Sequence, residues 1–302
     1  MGGTMAFKTP DQIATAAVNA GVVKANLTAD RMFAGGILAG AYIAFAGLLA
    51  VVVTAGMPVA IWGNLTTLFF GAVFATGLII VIVAGSELVT GNMALLPLAL
   101  TTRRATAGRV AMSLVVVTIG NLVGSLLVAY LLAVQTGVIG SAHSAAGSAG
   151  ALTFAKLAAV AKGKAVTETS LEIFLRAVAC NWLVCLAVWM AYAAEDIAGK
   201  ILAIFFPIMA FVALGFDHVV ANMFFIPAAM FAHVPGIGIG DAVRNLVLAF
   251  VGNAVGGGLF VAGFYWFLYL RGQPQPTTPK GVQETPIPDE RSKGGQDAAG
   301  PR

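Results

Sequence analysis

Six apolar stretches, each long enough to cross a lipid bilayer, dominate the sequence between about residues 30 and 271. An α-helix needs about 20 apolar residues to span a bilayer core. Backbone polar groups in lipid must be paired within the protein, which limits spanning segments to helices and closed barrels. We therefore predict an all-α membrane protein, with spans at 33–55, 66–100, 109–134, 171–193, 200–233 and 244–270.

The composition agrees with a membrane protein. Of the 302 residues, 59% are hydrophobic and 10% are charged, whereas a soluble domain carries about 25% charged residues. The net charge of +4 is scattered and forms no dense basic run that would follow a nucleic-acid backbone. We therefore expect no nucleic-acid partner, and no cleavable signal peptide within residues 1–30.

The second and fifth stretches are each interrupted by glycine and polar residues, and the two interruptions are alike. The segment ELVTGNM at 87–93 aligns with DHVVANM at 217–223, and GNLVG at 120–124 aligns with GNAVG at 252–256. A common offset of about 130 residues indicates an internal duplication of three spans. Because three is odd, the second copy is inverted in the membrane, and broken helices in inverted repeats indicate a substrate path near the midplane.

The flanking segments complete the predicted organisation. Residues 1–30 are predicted as a cytoplasmic interfacial helix that begins near Pro10, residues 31–271 as the transmembrane channel domain, and residues 272–302 as a disordered cytoplasmic tail. Lysine and arginine in the short flanks place both termini in the cytoplasm. The connection after the third span is an exception, because Lys156, Lys162 and Lys164 lie on the predicted outer side.

The polar residues within the two breaks are candidates for function. His218 is an ionisable residue at membrane depth, where such residues are usually functional, although a neutral histidine hydrogen-bonded between helices is the alternative. Asp217 and Glu87 occupy equivalent places in the two breaks, and we expect them to accept hydrogen bonds from backbone N–H groups. Thr90 either contributes its hydroxyl to the pore or satisfies backbone groups that the break leaves free.

Three segments, taken in order, resemble the formate/nitrite transporter family: AGSELVTG at 84–91, CNWLVCLA at 180–187 and GFDHVVANM at 215–223. The resemblance covers about residues 9–271. It implies an aquaporin-like protomer in the cell membrane, surrounded by membrane lipid, that forms a homopentamer with one pore per subunit and uses no cofactor. The paired Asn-Pro-Ala signature of aquaporins themselves is absent.

The resemblance also implies the transport of small monovalent weak-acid anions, above all formate and nitrite, together with protons. Hydrosulfide, acetate and lactate remain open as substrates. A membrane subunit of a redox enzyme would need haem or metal ligands within the spans, and a structural scaffold would not explain two matching polar breaks. We therefore predict a channel or transporter rather than an enzyme.

The resemblance assigns roles to individual residues. His218 corresponds to the pore histidine and Thr90 to the loop threonine, while Lys164 corresponds to a vestibule lysine for which Lys162 is the alternative. The predicted substrate path consists of His218, Thr90, Lys164, Asn181, Asn222 and Asp217. The predicted apolar constrictions consist of Phe74 and Phe211 on one side of the histidine, and of Leu78, Leu88 and Val89 on the other. Asp217 and Val89 depart from the glutamate and phenylalanine that many members carry.

These residues lead to a mechanistic hypothesis. Lys164 attracts the anion, His218 supplies a proton, and formic or nitrous acid passes the apolar constrictions as a neutral molecule. An approaching anion favours the charged imidazole. In the alternative, His218 stays charged and the anion passes along it as in a selectivity filter. The resemblance further indicates that the N-terminal helix gates the cytoplasmic mouth of the pore.

Overall fold

The computed structural model describes residues 7–272. Most of the predicted disordered tail, 272–302, and the first six residues of the predicted N-terminal segment lie outside that range. The helices are α1 (Pro10–Asn26), α2 (Ala29–Thr54), α3 (Val59–Trp62), α4 (Leu65–Phe74), α5 (Thr76–Ala84), α6 (Val89–Thr101), α7 (Ala107–Leu127), α8 (Ala149–Lys162), α9 (Ser170–Ala193), α10 (Ile197–Ala213), α11 (Val219–Phe231) and α12 (Ile239–Val255). Four π-helical segments extend them, at Val128–Val134, Gly163–Thr167, Gly256–Gly263 and Trp266–Leu270.

The described chain forms six spans, as predicted. Five helical stretches are long and apolar enough to cross a membrane: Ala29–Thr54, Leu65–Ala84, Ala107–Val134, Ser170–Ala193 and Ile239–Leu270. The fifth span in chain order consists of two shorter apolar helices, α10 and α11. The second span likewise continues, after a break, into the short apolar helix α6. The all-α architecture with broken second and fifth helices is therefore confirmed.

Glycine ends the first half of each broken span. Gly85 follows α5 with φ +77°, and Gly215 lies two residues beyond the end of α10 with φ +74°. This left-handed conformation is readily available to glycine but strained for other residues. At each glycine the chain leaves the helix and runs without regular secondary structure for three residues, the last of them the extended N-cap Leu88 or His218, before α6 or α11 begins. The breaks are thus fixed locally by the sequence.

The two repeats pack in the same way. The first and third helices of each repeat, α2 with α7 and α9 with α12, lie against each other. Small residues allow this close approach: a Cβ on Gly124 would collide with the carbonyl oxygen of Ile37, and one on Gly256 with that of Val178. Small residues at such contacts let helix backbones meet in a membrane. The predicted inverted duplication of three-helix units is therefore confirmed.

The N-terminal helix α1 packs against α6 through a buried apolar stripe. Its start follows the predicted pattern, since the Thr9 backbone N–H donates to Gln12 Oε1 at 2.9 Å. The buried residues of the stripe are Ile13, Ala14, Ala17, Val18, Gly21 and Ala25. At Gly21 a Cβ would collide with the carbonyl oxygen of Leu95. The helix is therefore held against the transmembrane domain, and its location at a membrane interface stays a prediction.

Candidate functional site

The two broken spans meet at a hydrogen bond between His218 and Thr90. Thr90 Oγ1 lies 2.9 Å from His218 Nε2, and both side chains are buried. His218 is the N-cap of α11, where its Nδ1 accepts a hydrogen bond from the Ala221 backbone N–H at 3.1 Å. An Nδ1 that accepts carries no proton, so the ring is neutral with its proton on Nε2. The imidazole therefore presents an N–H donor to Thr90.

Two asparagines at equivalent places in the repeats, Asn121 and Asn253, hydrogen-bond to the backbone of the breaks. Asn121 Nδ2 donates to the carbonyl oxygens of Gly36 and Glu87, both at 2.8 Å, and its Oδ1 accepts from Val89 N–H at 3.0 Å. Buried backbone groups outside a helix need such partners. The sequence motifs at 120–124 and 252–256 marked these residues as a repeat but did not reveal what they bind.

Asn253 repeats this pattern in the second half of the chain. Its Nδ2 donates to the carbonyl oxygens of Ala177 and Asp217, both at 2.8 Å. Its Oδ1 accepts from Val219 N–H at 2.9 Å. Each asparagine therefore ties its broken span to the first helix of its own repeat.

Asn181, a predicted path residue, lies behind Thr90. Its Nδ2 donates to the Thr90 carbonyl oxygen at 3.1 Å and to the Asn253 carbonyl oxygen at 2.7 Å. The thiol of Cys185 contacts the same Thr90 carbonyl at 3.2 Å. These bonds position the backbone of Thr90, so Asn181 orients the hydroxyl that faces His218.

A cavity of about 240 Å³ leads to His218 from the side of Lys164, and we call it the Lys164 vestibule. It is larger than several water molecules, each of which occupies about 30 Å³ in the liquid. Its wall combines aromatic side chains with three cations and one carboxylate. The residues that define it here are Lys156, Lys164, Glu168, Arg176, Phe211 and His218.

Lys164 is bound at the break beside His218. Its Nζ donates to Asp217 Oδ1 at 3.1 Å and to the Phe216 carbonyl oxygen at 3.2 Å. Lys162, the alternative vestibule lysine, is exposed and is not a lining residue of this cavity. The geometry therefore favours Lys164 over Lys162.

Asp217 is fully buried and also accepts from Asn222 Nδ2 at 2.8 Å, while the same amide donates to Asn245 Oδ1 at 2.8 Å. The expectation that Asp217 and Glu87 accept from backbone N–H groups was wrong. Their donors in the described chain are side chains, because asparagine amides already pair the free backbone groups. Asp217 and Asn222 thus form a polar network around Lys164.

A second lysine–carboxylate pair occupies the equivalent place in the first repeat. Lys24 Nζ lies 2.8 Å from Glu87 Oε1, and Asn92 Nδ2 donates to Glu87 Oε2 at 3.1 Å. Sequence reasoning missed Lys24 as a site residue. The signal was present, because Lys24 and Lys164 each precede the first span of their repeat and lie 140 residues apart (164 − 24).

The predicted constriction residues are all buried. Phe74 and Phe211 meet edge to face with ring centroids 6.1 Å apart, and Phe211 lies 5.9 Å from the His218 ring. On the other side, Leu78, Leu88 and Val89 are buried as well. Leu88 is the N-cap of α6 and corresponds to His218, 130 residues later (218 − 88). That these side chains narrow a pore stays a prediction.

Three charged residues of the vestibule wall, Lys156, Glu168 and Arg176, were not predicted as site residues. Glu168 Oε1 accepts from Arg176 Nη1 at 2.5 Å, and the Glu168 backbone carbonyl accepts from Arg244 Nη2 at 3.0 Å. A near-buried carboxyl close to the end of a loop gives no signal in a single sequence, because its burial depends on helices distant in the chain.

A family model described as "Formate/nitrite transporter" matches residues 11–267. A probable formate transporter of Methanothermobacter thermautotrophicus is 46% identical over 274 residues, covering 88% of this chain and 98% of that protein. A formate channel of Bacillus thuringiensis, BtFdhC, is 42% identical over 272 residues, again with 88% and 98% coverage.

Solved structures resemble the fold as well. A chain described as an FNT family ion channel superposes with a TM-score of 0.77 at 29% identity and covers 86% of this chain and 99% of its own. A pentameric formate channel with formate bound superposes with a TM-score of 0.68 at 29% identity, covering 80% and 98%. The predicted aquaporin-like fold is therefore confirmed.

Proposed function

Because the chain belongs to the formate/nitrite transporter family, we propose that it is a formate channel whose pore passes His218 and Thr90. The family and the relatives are channels and transporters, so the chain is a multi-pass membrane transport protein and not an enzyme. The observation that carries the proposal is the buried hydrogen bond between His218 and Thr90, where the two broken spans meet.

Formate is the favoured substrate because the similar proteins from Methanothermobacter and Bacillus thuringiensis carry formate in their names. Nitrite has the same charge and a similar size, so the proposed pore passes it too. The similarity to a pentameric formate channel supports a homopentamer with one pore in each subunit. Lysine and arginine in the flanks support a cell membrane orientation with both termini in the cytoplasm.

The physical problem for such a pore is the charge of the anion. A charge stranded in apolar surroundings at membrane depth costs from about 3 to more than 10 kcal/mol. A neutral acid avoids most of this cost. In the proposed mechanism, Lys164 and the other vestibule cations attract the anion, which gains a proton before it passes the apolar side chains around His218.

His218 supports this step through its geometry. In the resting arrangement its neutral ring offers the Nε2 proton, and an anion that displaces Thr90 would accept that hydrogen bond. The negative charge of the anion favours a second proton at Nδ1, in place of the bond from Ala221. The ring then gives its Nε2 proton to the anion and is left neutral with a proton on Nδ1. Loss of that proton to water, and uptake of another from water at Nε2, restores the starting tautomer, in which Nδ1 again accepts from Ala221 N–H.

The test is formate and nitrite flux into liposomes that contain the protein, at acidic and neutral pH, with the variant His218→Asn. We expect saturable flux that increases on acidification in the native protein. In the variant we expect saturated flux reduced at least tenfold, because no proton donor remains at the meeting point of the breaks.

His233→Asn is the matched control. His233 is exposed at the end of α11 with φ +58°, a conformation that asparagine tolerates well. This control should behave like the native protein. Unchanged flux and pH dependence in His218→Asn would contradict the role of the histidine, and no flux of either anion in the native protein would contradict the channel itself.

A further inference from the structure

Glu168 is a buried carboxyl in the wall of a cavity that otherwise presents cations. Its side chain is almost completely buried, with 7% of the residue exposed, yet it lines the Lys164 vestibule. Glu168 lies between a π-helical segment and α9, outside the six spans. Nothing in the mechanism above uses it.

One oxygen of Glu168 and one of its neighbour Asp217 have no hydrogen-bond partner among the described residues. Oε1 of Glu168 is bound to Arg176, whereas Oε2 is buried and unpartnered. Oδ1 of Asp217 is bound to Lys164 and Asn222, whereas Oδ2 is buried and unpartnered. Burial and the nearby carboxylate of Asp217 both disfavour the charged form of Glu168.

The charged groups around Glu168 come from every element that packs against it. Lys164 lies on the π-helical segment before it, Arg176 on α9, Asp217 in the break of the fifth span, and Arg244 on α12. Lys156 on α8 and the neutral His218 line the same cavity. Four cations therefore face two carboxyl groups, and protonation of one carboxyl raises the local net charge from +2 to +3.

Burial, with the neighbouring Asp217 carboxyl as the next cause, raises the pKa of Glu168 to about 7, against the lowering effect of Lys164 and Arg176. A carboxyl with a raised pKa is neutral below that value and charged above it. Glu168 is therefore protonated in mildly acidic solution and ionised in mildly alkaline solution.

We propose that Glu168 controls anion binding in the Lys164 vestibule by gaining and losing a proton. With the proton in place, the cations of the vestibule bind a small carboxylate. When the proton is lost, the negative charge of the Glu168 carboxylate neutralises the charge of Arg176 and repels the incoming anion. Formate itself stays ionised in this range, so the protein and not the substrate titrates. This inference rests on the proposed formate channel and adds an acid-dependent binding step ahead of His218.

The test measures the half-saturating formate concentration of liposome flux between pH 6 and pH 8, with Glu168→Gln. In the native protein we expect this concentration to rise roughly tenfold across the range, as one nearby negative charge appears. In Glu168→Gln, which cannot ionise, we expect it to stay near the native value at pH 6.

Glu172→Gln is the control, because Glu172 is exposed at the start of α9 and glutamine preserves its hydrogen bond to Thr169 N–H. This variant loses the same charge outside the vestibule and should follow the native pH profile. A Glu168→Gln profile that also follows the native one would overturn the inference while leaving the formate channel intact. No native flux at all would contradict the proposed function instead.

A second measurement does not depend on flux or on the folding of a variant. Difference infrared spectroscopy of the native protein should show the carbonyl stretch of a protonated carboxyl that disappears as pH rises through about 7. If Glu168→Gln folds, this signal should be missing from it. A native protein without a carboxyl titrating in that range overturns the inference.

Discussion

At the scale of single residues, the side-chain amides of Asn121 and Asn253 stabilise the backbone of the two helix breaks. Each amide pairs one backbone N–H and one carbonyl group within the break, and donates to a further carbonyl group on the first helix of its repeat. The backbone at membrane depth is thereby satisfied within the protein, as the bilayer requires. The His218 and Thr90 side chains are left to meet each other.

Asn253→Ala should therefore destabilise the protein strongly. The change leaves Val219 N–H and the Asp217 carbonyl oxygen unpaired, and each buried unsatisfied group costs about 1–3 kcal/mol. Thermal unfolding in detergent should show a clearly lower midpoint. Asn64→Ala, at an exposed asparagine whose side chain makes no cap hydrogen bond, should leave the midpoint unchanged. An equal midpoint for both variants would show that water replaces the lost partners.

Some of the site residues could be predicted from the sequence and others could not, and the difference has a physical cause. His218, Thr90 and Asp217 stand out because polar residues are rare in apolar spans. Lys24 and Glu168 lie in polar segments, where a charge is ordinary, and only tertiary packing shows that each is held against the pore domain. The partners of Asp217 and Glu87 were misjudged for the same reason.

At the scale of elements, the sequence predicted the six spans and both breaks. The length of an apolar stretch and the position of a glycine within it are local features, so they can be read from the sequence directly. The sequence did not predict the π-helical segments. Val128–Val134 and Gly256–Gly263 begin 128 residues apart (256 − 128), in the third span of each repeat. A change from α to π hydrogen bonding reflects packing between spans, and hydropathy does not report it.

Helix α1 is the element whose movement we expect to change transport. It is attached by Gly21 against the Leu95 carbonyl and by Lys24 against Glu87. Gly21→Ala should displace the helix, since a Cβ has no room there, and so should alter the pH dependence of formate flux. Deleting residues 1–29 should have the same effect without dissociating the oligomer.

Gly108→Ala is the control for this prediction, because a Cβ at that exposed position meets no atom within 4 Å. Its flux should follow the native pH profile. If Gly21→Ala and the deletion also follow the native profile, then α1 is a structural cover and not a gate.

At the scale of the whole molecule, the protomer presents many large apolar side chains on its outer surface, including Leu175, Phe206 and Leu259. Lipid and neighbouring subunits are the environments that such a surface fits. For the proposed homopentamer we expect native mass spectrometry to give five times the chain mass of 30.9 kDa. A monomer or a trimer as the largest species released from mild detergent would contradict that assembly.

An exact inverted duplication would present the same arrangement of helices to both sides of the membrane. One difference between the halves lies at a pair of matching N-caps, where the first repeat carries the isobutyl group of Leu88 and the second the imidazole of His218. The proposed pore therefore has an ionisable side chain in one half and an aliphatic side chain in the other, so its two ends are chemically different.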